Sequence, residues 1–298
     1  MKPVFLQTYS NYMLFLIATT LFSASILIVF KLFKQYNINN LQAIVGNYIV
    51  AASIGFLIYE PKFSATDVFH APWFSLSILI GGAFIGVFFL FALSSQRAGI
   101  AITAVSSKMS VVIPTAAGFL LFNDELSPLK IIGIILALVA LYLALYKKQI
   151  ANTKFDFRLI LLPLFIFVGT GANDLLMKIA DFYFVENDVL LLLSTIFSIA
   201  LVIGTSVLIY NYIKRTTILK LKNFLAGGLL GLINFGSTYY LFRSMEIFDN
   251  SLLFPIRNTG VVVLSAIIAL LLFKEKIAKI NWIGIALAVV AIIMISTG

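Results

Sequence analysis

Apolar runs of about twenty residues follow one another along this chain, and short polar connections separate them. Charged residues, Pro and Gly bound ten such runs, at residues 12–33, 41–59, 73–96, 100–122, 128–146, 159–184, 189–212, 224–242, 252–273 and 281–297. A helix of about 20 apolar residues crosses a hydrocarbon core of about 30 Å. The pattern therefore predicts an all-α integral membrane protein with ten transmembrane helices, surrounded by the lipid bilayer.

Composition agrees with this class. Hydrophobic residues make up 61% of the 298 residues and charged residues only 11%, whereas a soluble domain carries about 25% charged residues. The formal net charge of +9 is typical of the loops of a membrane protein. It is not accompanied by a long basic run or an RNA-binding signature, so we expect no nucleic-acid partner.

Residue usage also excludes several kinds of chemistry. The chain has no Cys and a single His, His70, in a stretch that resembles a loop. Thiolate and histidine clusters for a metal or for catalysis are therefore excluded, and we expect no cofactor. The chain carries no nucleophile elbow and no phosphate-binding Gly-rich loop, so an enzyme is not expected. The first apolar run exceeds the usual 7–15 residues of a signal peptide, so we interpret it as the first helix.

The two halves of the chain, residues 1–150 and 151–298, resemble each other and hold five predicted helices each. Segment 119–143 aligns with segment 269–293 at a constant shift of 151 residues. The shift pairs a phenylalanine, an acid and a glycine in the two halves: Phe122 with Phe273, Asp124 with Glu275, and Gly133 with Gly284. An odd number of helices forces two consecutive repeats to insert in opposite directions. The sequence therefore predicts two inverted five-helix repeats.

The cations of the connections fall unevenly on the two sides of the predicted bundle. With alternate connections assigned to opposite sides, one side receives fourteen Lys and Arg residues, and we name it the basic side. The opposite side, which also holds both termini, receives four: Lys2, Lys62, Lys130 and Arg243. Positively charged loops face the cytoplasm, so this distribution predicts both termini outside.

Glycines spaced four apart occur in the third and eighth predicted helices. They are Gly82 and Gly86 in the third, and Gly227 and Gly231 in the eighth. Such a stripe of small residues lets helix backbones approach closely. We interpret both stripes as packing surfaces, either within one chain or across a homodimer.

Lys108 is the first candidate for chemistry, because it interrupts the apolar fourth helix. A charge at the bilayer centre costs about 2.5–3.5 kcal/mol on insertion scales and usually faces a cavity or a partner. Lys108 lies about 12 Å into its helix at 1.5 Å per residue, among the hydroxyls of Ser106, Ser107 and Ser110. The alternative is that the long Lys108 side chain reaches back along the helix to the membrane interface. Pro114 follows and predicts a kink.

Arg257 holds a related position in the ninth predicted helix, beside Asn258 and Thr259. The shift of 151 sets Ser106 opposite Arg257, and Lys108 opposite Thr259, so the two cations would approach a central cavity from opposite sides. A guanidinium or an ammonium group in such a cavity binds carboxylate or phosphate. For Arg257, too, the alternative is a side chain that reaches the interface.

The sixth predicted helix carries the acid of the set, Asp174, with Asn173 beside it and Lys178 four residues on. Asp174 and Lys178 share a helix face and can simply pair. The alternative is that Asp174 is the acid that couples transport to protons. Three further residues are lesser candidates for a cavity wall, with interhelical hydrogen bonding or interfacial packing as their alternative: Asn47, Asn234 and Tyr239.

The chain as a whole resembles the EamA-type permeases of the drug/metabolite transporter superfamily. The resemblance rests on the length, the five-plus-five repeat, and an acid that precedes a helix glycine in "NDELSPLKIIG" and "KEKIAKINWIG". It implies a multi-pass protein of the cell (inner) membrane that moves a small-molecule metabolite by alternating access, often outward. Many relatives are thought to keep both termini in the cytoplasm, which the loop charges here argue against.

Three functions are compatible with these features. The interior cations favour a transporter, and above all an exporter, of a small organic anion or zwitterionic metabolite, with proton coupling as an option. One alternative is efflux of cationic drugs through Asp174. The other is a non-transporting membrane protein, such as a lipid-handling or assembly subunit.

Overall fold

The computed structural model describes residues 2–59, 63–121, 127–146, 158–184, 189–245, 248 and 250–297. Every regular element in these ranges is a helix. In chain order they are α1 Lys2–Gln35, α2 Asn40–Ile58, α3 Ala65–His70, α4 Phe74–Arg97, α5 Ile100–Met109, α6 Val112–Leu121, α7 Pro128–Leu145, α8 Arg158–Phe184, α9 Val189–Ile213, α10 Leu221–Met245, α11 Asn250–Leu271 and α12 Lys279–Thr297.

Within the described ranges, ten helical segments are long and apolar enough to cross a membrane, with α5 and α6 together forming the fourth. This confirms the predicted all-α architecture of ten spans. The helix bounds agree with the apolar runs to within a few residues, apart from α1, which begins at Lys2 rather than at residue 12. Each span buries only part of its surface in the bundle, as expected when lipid covers the rest.

The fourth span is not the continuous helix that the apolar run predicts, because it breaks at Ser110 and Val111 between α5 and α6. Pro114 is the cause. It has no N–H for the Ser110 carbonyl, and its ring would clash with that group. The amide of Ile113 instead donates to the Ser110 oxygen at 2.9 Å, which tightens the chain at the break. The kink expected from Pro114 is therefore a complete interruption, two residues after Lys108.

His70 lies in a helix, which corrects the expectation of a loop. It is the last residue of α3, a six-residue helix in the connection between α2 and α4. Ser64 starts this helix with a capping box, in which Ser64 and Asp67 each accept a backbone hydrogen bond from the other. The ring nitrogen Nδ1 of His70 lies 2.8 Å from the Thr66 carbonyl oxygen.

The helices α7 and α12 form one tightly packed antiparallel pair. Gly133, near the start of α7, lies against Ile295 near the end of α12. Gly284, near the start of α12, lies against Ala144 near the end of α7, where an added Cβ would meet the Ala144 backbone nitrogen at 2.5 Å. Both glycines are therefore required by a close backbone approach. An apolar cluster joins this pair to α5 and α11.

A second apolar cluster joins α1, α2, α4, α9 and α10. Of the two predicted glycine stripes, the one on α10 packs inside the chain, because Gly227 and Gly231 lie against the backbone of Ala43 and Asn47 on α2. The stripe on α4 is different, since no atom lies within 4 Å of a Cβ added at Gly86. Of the repeat partners read from the sequence, Phe122 and Asp124 lie outside the described residues.

Candidate functional site

Lys108, Asp174 and Arg257 lie together inside the bundle, close enough to interact electrostatically with one another. They come from α5, α8 and α11, and α5 packs against both of the other helices. We name these three residues the charged centre. Two cations and one carboxylate thus share an interior position among helices that are otherwise almost entirely apolar.

Lys108 owes its position to the interruption of the fourth span. It lies in the last turn of α5, which ends at Met109. The residues that precede it, Ser106 and Ser107, are buried, whereas Lys108 itself is half-buried. Its charge interacts with Arg257 and Asp174, so the ammonium group belongs to the interior of the bundle and does not extend along the helix to the interface.

Arg257 is held by hydroxyl groups on α1. Its Nε donates to Thr19 Oγ1 at 3.0 Å and its Nη2 donates to Ser23 Oγ at 2.7 Å. Both hydroxyls also contact Ser237 on α10, since Thr19 donates to the Ser237 carbonyl and the two serine hydroxyls lie 2.7 Å apart. The guanidinium is oriented by neutral groups, and its positive charge is not neutralised by these contacts.

Asp174 lies in the interior yet keeps an exposed side chain, unlike its buried neighbour Asn173. The carboxylate interacts electrostatically with both Lys108 and Arg257, so it belongs to the same polar cluster as the two cations. The ion pair found among the described residues joins Lys31 to Glu275. Lys178 has an interaction of its own, so its pairing with Asp174 stays a prediction.

Several buried polar atoms on the same helices leave their hydrogen-bonding capacity unused by the protein. In the described part of the chain, Ser106 Oγ, Thr170 Oγ1, Asn173 Oδ1 and Thr259 Oγ1 have no partner. Asn258, beside Thr259, is also buried. Buried polar groups in proteins are nearly always hydrogen-bonded. Those on the three helices of the charged centre are groups that a polar ligand could satisfy.

The remaining sequence candidates lie on α2 and α10. Asn47 is fully buried, and neither of its side-chain amide atoms has a partner in the described ranges. Asn234 is buried on α10, and its Nδ2 also has no hydrogen-bond partner in these ranges. The Tyr239 hydroxyl instead accepts a hydrogen bond from Arg243 Nε at 3.3 Å, and its ring lies under the same guanidinium. Within the described ranges, no hydrogen bond or ion pair joins these three side chains to the charged centre.

Sequence reasoning missed the hydroxyls that orient Arg257. Thr19 and Ser23 are four residues apart and therefore share one face of α1. Thr20 and Ser25, on other faces, donate to carbonyls in their own helix, which is the usual fate of such residues in apolar helices. The spacing of Thr19 and Ser23 was the available signal, but it does not reveal the partner.

A second polar contact, also missed, lies at the basic side. Glu275 binds Lys31 Nζ at 2.8 Å and accepts the backbone amide of Ile100 at 3.0 and 3.2 Å. It thereby caps α5 and connects that helix to α1. Gly99, just before α5, has φ +109°, and an added Cβ would lie 2.6 Å from the carboxylate.

No group of three His, Cys, Asp or Glu residues that could hold a metal ion occurs in the described part of the chain. The charged centre offers two cations and a carboxylate, with unpaired hydroxyl and amide groups nearby, which together can bind a small polar molecule.

Comparison with known proteins gives the fold but no activity. No family model matches the chain. An uncharacterized protein of Haemophilus influenzae is 28% identical over 283 residues, which cover 93% of this chain and 95% of that protein. A crystal structure of a protein with 13% sequence identity superposes with a TM-score of 0.58, over 93% of this chain and 97% of the other. The structural likeness shows a shared fold alone.

Proposed function

We propose that this chain is a secondary transporter, and above all an exporter, of a small organic anion or zwitterionic metabolite in the cell (inner) membrane. The observation that carries the proposal is the charged centre, in which Lys108, Asp174 and Arg257 share an interior space. Charges inside a membrane bundle are expensive and usually mark a substrate or ion pathway. The resemblance to EamA-type permeases points to the same activity.

Alternating access through two inverted repeats is part of the proposal, and the helix packing supports it. In two five-helix repeats, each span corresponds to the span five positions away. The contact of α1 with α10 then corresponds to the contact of α8 with α4, and the contact of α2 with α10 to that of α9 with α4. All four of these helix pairs are in contact. The contacts of Gly133 with Ile295 and of Gly284 with Ala144 also exchange under the shift of 151. Two such halves can rock around a fixed central site.

The interrupted fourth span supports transport as well. Binding sites of repeat-built transporters lie near the midplane and are formed by discontinuous helices. Here α5 ends one residue after Lys108 and α6 begins at Val112. Lys108 is the ninth residue of α5, and Arg257 is the eighth of α11. These two helices enter from opposite sides, so the cations reach similar depths from either surface.

The balance of charge selects the substrate class. Two cations face one carboxylate, so the empty centre is net positive and favours a carboxylate or phosphate. Arg257 uses Nε and Nη2 on hydroxyls and keeps further N–H groups for such a ligand. Asp174 has two roles open to it: contact with the ammonium group of a zwitterion, or uptake of the proton that couples transport.

A second candidate function, efflux of cationic drugs, is favoured by one observation. The Asp174 side chain is exposed, and within the described residues no ion pair joins it to either cation of the charged centre. A cationic ligand could therefore bind the Asp174 carboxylate without first displacing Lys108 or Arg257. The two interior cations nearby would repel such a ligand, which is why we rank this function second.

A ligand screen with purified full-length protein tests the proposal. A molecule that binds the folded state raises its unfolding temperature, so anionic, zwitterionic and cationic metabolites are compared in the parent and in Lys108→Ala. Lys220→Ala removes an exposed cation far from the centre and is the matched control. The stabilising ligand is then loaded into proteoliposomes for counterflow.

We expect stabilisation by molecules with a carboxylate or phosphate, lost in Lys108→Ala and retained in Lys220→Ala, with counterflow of the same ligand. Stabilisation by cations alone would support drug efflux instead. A stabilising ligand that is not moved by reconstituted protein would favour a non-transporting role.

A further inference from the structure

A surface cavity of about 210 Å³ lies at the basic side, apart from the charged centre. It is enclosed by the end of α1, the junction of α4 and α5, and the connection from α11 to α12, with Lys31, Arg97, Glu275 and Lys276 among its lining residues. We propose that this cavity is a second anion site, which binds the phosphate group of an anionic headgroup. The proposal does not depend on transport.

The charge of the lining carries the proposal. Glu275 is the one acid in the cavity wall, and it already pairs with Lys31 at 2.8 Å while it accepts the Ile100 amide. Arg97 and Lys276 are exposed and have no ion pair among the residues described. Two uncompensated cations therefore flank one small cavity. A phosphate group is the anion that best satisfies an Arg fork and a Lys point charge together.

The size of the cavity limits its ligand. Pockets for drug-sized molecules enclose about 300–1,000 Å³, so about 210 Å³ suits a headgroup rather than a large metabolite. The remaining lining includes Ala98, Ala101, Ile102 and Ile277, which give the cavity an apolar part beside its cations. A phosphate attached to a glycerol or an acyl chain fits this mixed surface.

The position of the cavity identifies where such a ligand would come from. Arg97 ends α4, and Lys31 lies in the last turns of α1, so the cavity is at the level where hydrocarbon gives way to headgroups. Loops rich in Lys and Arg face the cytoplasmic leaflet, which carries the anionic lipids and attracts basic pockets between helices. A soluble phosphate compound has the same recognition chemistry, and the experiment separates the two sources.

Binding at this site would strengthen the packing of the helix ends. The cavity touches α1, α4, α5 and the connection before α12, and Glu275 already joins two of these elements. A phosphate between Arg97 and Lys276 would add a bridge from α4 to that connection. The expected consequence is a higher unfolding temperature for the protein as it stands.

The test compares two double variants that remove equal charge from the same side. Arg97→Gln/Lys276→Gln changes the cavity, whereas Lys220→Gln/Lys279→Gln changes exposed cations that do not line it. Full-length protein is reconstituted in nanodiscs of phosphatidylcholine, with or without phosphatidylglycerol. In a separate arm, inorganic phosphate or glycerol phosphate is added to phosphatidylcholine nanodiscs at constant ionic strength.

We expect one of the phosphate-bearing probes to raise the unfolding temperature by several degrees in the parent and in the control double variant. At least half of that rise should be lost in the cavity double variant. A rise with phosphatidylglycerol alone identifies a lipid headgroup, and an equal rise with glycerol phosphate identifies a soluble source. Lys108→Ala should keep the response to phosphatidylglycerol, which separates this site from the charged centre, where a free phosphate compound could also bind.

Equal responses of the two double variants would overturn the proposal, because only unspecific attraction to the basic side would then remain. No rise with any probe in the parent would overturn it as well.

Discussion

The carboxylate of Glu275 holds the ammonium group of Lys31 at 2.8 Å and, at the same time, accepts the first backbone amide of α5. One side chain after α11 thus connects α1 to α5 at the basic side. Both side chains are largely shielded, at 19% and 15% exposure, so the pair is less screened than a surface ion pair. We expect this contact to hold α1 and α5 together at the basic side.

Glu275→Gln tests the role of that contact. The variant keeps a carbonyl for the Ile100 amide but removes the negative charge that pairs with Lys31, which should cost about 1.5–3 kcal/mol for a hydrogen bond to a charged group. The chain has no natural Cys, so Ala101→Cys, on α5 in the cavity wall and buried, reports opening without background. We expect several-fold faster maleimide labelling of that cysteine when Glu275→Gln is added. An unchanged labelling rate would show that Glu275 does not hold this side closed.

Gly99→Ala should destabilise the same region for two reasons. Gly99 has φ +109°, where a side chain is strained, and its Cβ would lie 2.6 Å from Glu275 Oε2. We expect a loss of about 1–3 kcal/mol and a lower unfolding temperature. Gly86→Ala is the matched control, since its Cβ would meet no atom within 4 Å and Ala favours the helix over Gly by about 1 kcal/mol. Similar losses in both variants would contradict the geometry at Gly99.

Ser23→Ala examines how Arg257 is oriented. The substitution removes the hydroxyl that accepts from Arg257 Nη2 at 2.7 Å and contacts Ser237. Because a mispositioned guanidinium binds a carboxylate or phosphate less well, we expect the affinity for the stabilising anion to fall about 5- to 30-fold, equivalent to roughly 1–2 kcal/mol. Ser25→Ala removes a hydroxyl that only bonds its own helix and should leave the affinity unchanged. Equal losses in both variants would mean that Ser23 acts through helix packing alone.

Pro114→Ala addresses the interruption of the fourth span. Alanine supplies the missing N–H for the Ser110 carbonyl and removes the clash with it, so α5 and α6 should approach one continuous helix. We expect a higher unfolding temperature together with slower counterflow, since the break beside Lys108 would be lost. Unchanged counterflow in a more stable variant would show that the break is incidental to transport.

The membrane spans could be predicted from the sequence because a long apolar run is stable in a bilayer as a helix that crosses it. The break after Met109 could be predicted only in part. Pro114 predicted a kink, but whether the helix bends or is interrupted depends on which group donates a hydrogen bond to the freed Ser110 carbonyl. That is decided by the Ile113 amide, and no periodicity records it.

The charged centre was predictable in its members but not in its contacts. Lys108, Asp174 and Arg257 stand out as charges inside apolar helices, and the structure brings them together. Helix spacing shows that Asp174 and Lys178 share a face, but it does not show which of them meets a neighbour on another helix. For the same reason Thr19 and Ser23 could not be assigned to Arg257, which lies more than 230 residues away in the chain.

The most direct test compares the direction in which three substitutions at the charged centre change the affinity for an anion. Binding of the stabilising anion is measured in Lys108→Ala, Arg257→Ala and Asp174→Asn, with Lys220→Ala as the control. Both cation variants should lose at least ten-fold in affinity, whereas Asp174→Asn should bind a simple anion as well as the parent or more tightly, because a repelling charge is removed. Loss of anion binding in Asp174→Asn alone, with both cation variants unchanged, would contradict the claim that this centre recognises an anion.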